Sequence, residues 1–180
     1  MFEQHLEHLV ESSVLAIPQA HRGLGLTIAV GFSFSLAHVF SLMANRLRPR
    51  QILVHVILDS LVLGAALLIG SFLNLLMIAL LAGQVLEPHV FFNAIGGALA
   101  PGLFYVLVAA PYISDLIAIV IWFLVHLNVV TLVHLRFGLP YEQVLLITAP
   151  GYILTLVMVG LVFRQSWRRS YLRLASALQD

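Results

Sequence analysis

Four stretches of the chain carry no Asp, Glu, Arg or Lys: Leu24 to Ala44, Val90 to Ala110, Leu116 to Leu135 and Val144 to Phe163. Each is long enough to cross a hydrocarbon core about 30 Å thick, which takes about 20 helical residues. A fifth stretch, Ile52 to Gly83, contains only His55 and Asp59 as ionisable residues. It is too long for one upright crossing and too short for two. It reads either as one tilted or overlong helix, or as a helix of usual length followed by a re-entrant turn near Gly70, Ser71 and Asn74. The pattern therefore predicts an all-α fold, a polytopic transmembrane bundle with five membrane-spanning helices.

The polar punctuation agrees with that plan. Asn45 to Arg50, Gln84 to His89, Pro111 to Asp115 and Arg136 to Glu142 each hold a proline or a charge, and all are short. Helices joined so tightly pack as antiparallel neighbours. Three regions follow: a short amphipathic interfacial segment over 1–22, the five-helix domain over 23–163, and a basic interfacial tail over 164–180. In the first, Phe2, Leu6, Leu9, Ser13 and Ile17 approximate one helix face and Glu3, Glu7 and Glu11 another, before Pro18 ends the pattern. Those glutamates stand where a signal peptide would be basic, so no cleaved leader is expected.

Composition changes the picture only by strengthening it. Of the 180 residues 61% are apolar and 9% charged, and the mean hydropathy is +1.03, which is too little polar surface to face water all round. The net charge of +1, with no basic stripe, argues against a nucleic-acid partner. The absence of cysteine excludes disulfides, thiolate metal sites and cysteine catalysis. All nine basic residues are arginine. With five crossings, Arg46, Arg48, Arg50, Arg164, Arg168, Arg169 and Arg173 share one side, against Arg22 and Arg136 on the other. By the positive-inside rule the carboxyl terminus is cytoplasmic and the amino terminus lies outside. Arg164, Arg168, Arg169 and Arg173, interleaved with Trp167 and Tyr171, suit contact with anionic lipid headgroups.

Packing signals are frequent. Ala29, Ser33, Ala37 and Ser41 form a small-residue stripe, as do Ala94, Ala98 and Gly102. Such stripes let helices approach closely, within one chain or between two copies. Pro101 and Pro150 each remove an amide hydrogen bond and predict kinks. With Gly96, Gly97 and Gly102 nearby, the third helix is open to a complete break.

Ionisable groups within lipid are expensive and mark candidate chemistry. His55 and Asp59 form an i,i+4 pair, and in an antiparallel hairpin turning at Arg46 to Arg50, His38 lies at the depth of Asp59. His38, His55 and Asp59 are thus a candidate intramembrane polar cluster, either a proton or cation site or a buried hydrogen bond pinning two helices. His126 and His134 are candidate pigment or haem ligands, with neutral imidazoles bonded to carbonyls as the plainer reading. No phosphate-binding loop, nucleophile elbow or zinc motif occurs. No enzyme, metal site or cofactor is therefore expected.

The segment Pro111-Tyr-Ile-Ser-Asp-Leu-Ile-Ala-Ile-Val-Ile-Trp122, followed by Leu127 through His134, Gly138 and Pro150, resembles the bacterial branch of the Yip family, the Ypt-interacting proteins. The resemblance covers Phe91 to Phe163 and rests on helix count, spacing and turn residues. It implies a five-helix membrane protein. Eukaryotic members bind small GTPases in vesicle traffic. The acidic, tyrosine-containing motif of those members is missing here, so the fold transfers and no functional residue does. Together these readings point to a non-enzymatic multi-pass protein of the bacterial inner membrane. Its expected partners are lipids, other membrane proteins or itself. The alternative is a small transporter or channel subunit using His38, His55 and Asp59.

Overall fold

A computed structural model describes residues 23–44, 47–109 and 113–177, and the side chains of residues 40, 41, 44 and 165–177 are not among those described. The amino-terminal segment 1–22 and the headgroup contacts expected of Arg168, Arg169 and Arg173 therefore lie outside the described residues. Among the described residues the elements are all helical: α1 (Gly23–Leu36), α2 (Val39–Ala44), α3 (Pro49–Leu81), α4 (Pro88–Ala98), a 3-10 helix (Ala100–Ala109), α5 (Ser114–Phe137) and α6 (Tyr141–Ala177).

Local chemistry sets the ends of these helices. Pro49 and Pro88 occupy first-turn positions of α3 and α4, where the missing amide hydrogen has no intrahelical use. At the start of α3 the Gln51 side chain accepts the Arg48 N–H at 2.9 Å. Helix α5 ends at Gly138, whose φ of 66° is open to glycine and whose N–H reaches the His134 carbonyl at 3.0 Å. The ends of α3 and α5 cap one another's neighbourhood: Gln143 Nε2 donates to the Leu81 carbonyl and Gln84 Nε2 to that of Phe137.

The Ile52 to Gly83 stretch resolves into a single unbroken helix of 33 residues. At 1.5 Å per residue it is about 50 Å long, so its excess over the hydrocarbon is met by length or tilt and not by a re-entrant turn. Gly70, Ser71 and Asn74 are all buried against a neighbour. Among the described residues three helices are long and apolar enough to cross a membrane: Pro49–Leu81, Ser114–Phe137 and the Tyr141–Arg164 part of α6. The pair α4 and 3-10 helix, bent by 42° at its break, makes a fourth if it forms one span. The first apolar run does not form one helix. It divides at Ala37 and His38 into α1, 14 residues and about 21 Å long, and the short α2.

The break after α4 falls where glycines and Pro101 cluster. Pro150, by contrast, lies inside α6 without ending it. Helix α6 also runs past Arg164, which is exposed, into the basic tail without interruption.

The bundle packs α1 against α3, α4 and the 3-10 helix, α3 against α6, and α5 against α6 and the 3-10 helix. Phe34, Leu63, Phe91, Ile95, Val133, Val144 and Ile147 are fully buried. Leu53, Ile57, Leu61, Leu116, Ile119 and Phe123 project outward with half or more of their surface exposed. Among the described residues nine polar ones, including Ser33, Ser35, Ser71, Asn74 and Thr155, are buried. Apolar groups outside and polar groups inside is the arrangement that lipid favours.

Candidate functional site

Close helix contact creates the polar centre of the bundle. Helices α3 and α6 cross where Gly70 meets Gly151. A methyl group on Gly70 would strike the Thr155 hydroxyl and the Gly151 carbonyl, and one on Gly151 would strike the Gly70 carbonyl and Asn74 Oδ1. Only glycine fits at both positions, and the contact brings Ser71, Asn74 and Thr155 together.

Beside the crossing lies a cavity of about 30 Å³, bounded by Ser71 and Asn74 of α3, Trp122 and His126 of α5, and Tyr152 and Thr155 of α6. The His126 ring stacks on Tyr152 with centroids 4.2 Å apart, and Trp122 meets the same tyrosine edge-on at 6.1 Å. Ser71 Oγ donates to the Leu67 carbonyl and Thr155 Oγ1 to the Gly151 carbonyl, each at 2.8 Å. Asn74 is 5% exposed, and its Oδ1 accepts no hydrogen bond among the described residues.

A second polar device holds the broken third run. Ser33 Oγ of α1 donates to the Leu103 carbonyl at 2.7 Å and accepts the Val106 N–H at 3.0 Å. One hydroxyl thus satisfies a backbone donor and an acceptor of the 3-10 helix in a place without bulk water. On the opposite flank Ser35 Oγ donates to the Val56 carbonyl of α3 at 2.9 Å, and Gly31 lies against the Ser60 and Gly64 backbone. The stripe expected on this helix is therefore displaced. Ala29 is exposed, and the close approach to α3 runs through Gly31. In the third run Ala94, Ala98 and Gly102 are buried, as a packing stripe requires.

His38, His55 and Asp59 are distributed as follows. His38 lies at the break between α1 and α2 and stacks on Phe163 of α6 at 4.2 Å, with both ring nitrogens buried and unbonded among the described residues. His55 and Asp59 lie one turn apart on α3, both partly buried. No hydrogen bond or ion pair joins the three, and among the described residues no three His, Asp or Glu converge to hold a metal ion. His134 takes the plainer role, with Nδ1 2.6 Å from the Leu139 carbonyl and its ring stacked on Tyr141.

The sequence signal for the cavity was present but divided between two alternatives. Gly70, Ser71 and Asn74 stood out as a possible turn, and Pro150 next to Gly151 as a kink. Their shared partner is tertiary and carries no local mark. No protein family, curated protein or solved structure matches this chain.

Proposed function

We propose that this chain is a non-enzymatic multi-pass protein of the bacterial inner membrane that works through helix or lipid contacts with other membrane components, on a Yip-like five-helix plan. In this reading Gly23 to Ala44 is a bent first crossing, the α4 and 3-10 pair is the third, and the carboxyl terminus is cytoplasmic. Arg164, Arg168, Arg169 and Arg173 then lie among anionic headgroups.

One observation carries the reading: the exposed side chains of α3 from Leu53 to Leu81 and of α5 from Leu116 to Leu135 are uncharged and apolar, whereas the hydroxyls of Ser33, Ser35, Ser71 and Thr155 are bonded to backbone carbonyls. Such a bundle offers partners a broad contact surface within lipid. A photo-crosslinking residue at Phe123 should yield a discrete protein adduct, or a second copy of the chain, in native membranes. The same residue at buried Phe34 should not. Adducts to bulk lipid alone, together with solute flux in proteoliposomes, would overturn the proposal.

A second reading, a small transporter or channel subunit, is favoured by His38, whose buried ring nitrogens lack partners among the described residues. It expects a proton-coupled or cation-dependent flux that Asp59→Asn abolishes while the variant folds normally. The contact reading expects no such flux and a stable Asp59→Asn protein.

A further inference from the structure

We infer that the apolar groove at the start of α1 is a docking site for this chain's own segment Val14 to Ile17, which leaves the rest of the outward surface of α3 to lipid. The inference stands apart from the contact reading, because it concerns how the chain covers its own surface and not which partner it meets.

The groove holds about 350 Å³ and is bounded by Leu24 of α1, Leu68, Ile69 and Phe72 of α3 and Phe92 of α4, so its walls are apolar throughout. The same face of α3 continues beyond it through Leu76 and Leu80, which are 43% and 68% exposed. Helix α1 starts too deep in the bundle to cover that face. The Gly23 backbone packs on that of Asn93 and Gly96, about 8 to 12 Å past Pro88 by the helix rise. Along α3, Leu24 shares the groove with Leu68 to Phe72, whereas α3 runs on to Leu81, about 14 to 20 Å further. At Leu81 the bundle ends, with Gln84 and Gln143 bonding the tips of α3 and α5 to their neighbours. A chain that reaches Gly23 from this nearer end descends beside Phe72, Leu76 and Leu80.

The sequence that makes the descent is suited to it. Before Gly23 stand 22 residues, which lie outside the described residues. Ser12 to Ala20 contains no charged residue and no histidine, and Val14-Leu15-Ala16-Ile17 is its apolar part. Five residues separate Ile17 from Gly23, and a chain spans up to about 3.5 Å per residue, so Ile17 can lie anywhere from Phe72 to Leu80. Arg22 carries its charge toward the headgroups on a long apolar stem.

Tethering decides the occupant. Lipid tails are as apolar as the groove, so van der Waals packing and the freedom regained by displaced lipid are what favour a protein segment there. A second copy offers the same side chains but gives up the freedom of a whole molecule. A segment joined by five residues is instead present at an effective concentration in the millimolar range.

The test uses the full chain in native-lipid vesicles, where the absence of native cysteine makes each introduced pair unambiguous. Ile17→Cys is combined in turn with Phe72→Cys, Leu76→Cys and Phe123→Cys, in a mixture of isotope-labelled and unlabelled chains. After oxidation and digestion the disulfide-linked peptides are measured by mass spectrometry. Phe123 is the control, since it is 62% exposed on α5 and its neighbour Trp122 lines the same cavity as Ser71, which puts it at the depth of Phe72. Same-isotope links from 17 to 72 or 76 should exceed those from 17 to 123 about tenfold. Equal yields would assign the groove to lipid and overturn the inference, and an excess of mixed-isotope links would assign it to a second copy and overturn it as well. Phe72 and Leu76 are both exposed, so the cysteines leave the core intact. A nitroxide on Phe72→Cys gives a second reading: it should be immobilised in the otherwise unchanged chain and freed by Leu15→Asp with Ile17→Asp. A label at 72 that is as mobile as one at 123 before those changes overturns the inference without any charged variant having to fold.

Discussion

Two crossings in this bundle solve the same problem in opposite ways. Where α3 meets α6 both helices are regular, every hydroxyl serves its own backbone, and contact is made by glycines that let main chains touch. Where α1 meets the 3-10 helix, Ser33 bonds across the gap to the Leu103 carbonyl and the Val106 N–H of its partner. Shape holds the first contact and hydrogen bonding the second. The difference shows that a serine in a membrane helix is not one kind of feature: its worth depends on whether its hydroxyl bonds its own helix or a neighbour.

The comparison yields a ranked set of expectations, each read from unfolding in mixed micelles. Gly151→Leu should do the most damage, about 3 kcal/mol or more, because the new side chain meets Asn74 and the Gly70 backbone and neither can move without separating the helices. A loss under about 1 kcal/mol would mean that the contact is loose. Ser33→Ala should come next, at about 1 to 3 kcal/mol, since it leaves the Val106 N–H and Leu103 carbonyl without their partner. Protease sensitivity should rise within Ala100 to Ala109, and a loss spread evenly over the bundle would refute the clasp.

Thr155→Val should cost less than either, about 0.6 kcal/mol, because the lost bond runs only to its own helix at Gly151. The comparison fails if Thr155→Val and Ser33→Ala prove equal. On the same scale Phe123→Ala, which changes a lipid-facing side chain, should be within about 0.5 kcal/mol of the parent.

The sequence made some of this legible and hid the rest for physical reasons. Charge-free runs announce helices because lipid excludes unpaired charge; two of the four correspond to α5 and α6, and the Ile52 to Gly83 stretch, which holds only Asp59 as a charge, corresponds to α3. The break near Pro101 was visible as well, since a proline among glycines cannot hold a regular helix. The break at Ala37 and His38 was not, because it contains neither proline nor glycine. There the His38 N–H turns to the Ser35 carbonyl at 3.0 Å, while the Ser35 hydroxyl bonds across to α3. Ser33 was identified as a small residue, yet its hydroxyl acts on a segment 70 residues away, which no local period reports. Of the polar cluster, depth placed His38, His55 and Asp59 at one level but could not foretell the break at His38, whose ring stacks on Phe163.

The central claim is that the outward apolar surface of α3 and α5 faces lipid, and the absence of native cysteine makes it directly testable. A single nitroxide placed on Leu61→Cys, Phe123→Cys or the loop site Val85→Cys, which is 93% exposed, is challenged in native-lipid vesicles with oxygen and with a polar nickel chelate. Oxygen concentrates in hydrocarbon and the chelate in water. The account predicts that labels at 61 and 123 collide with oxygen and are shielded from the chelate, while the label at 85 shows the reverse. Ready collision of the chelate with the label at 123 would place α5 in water and contradict the account.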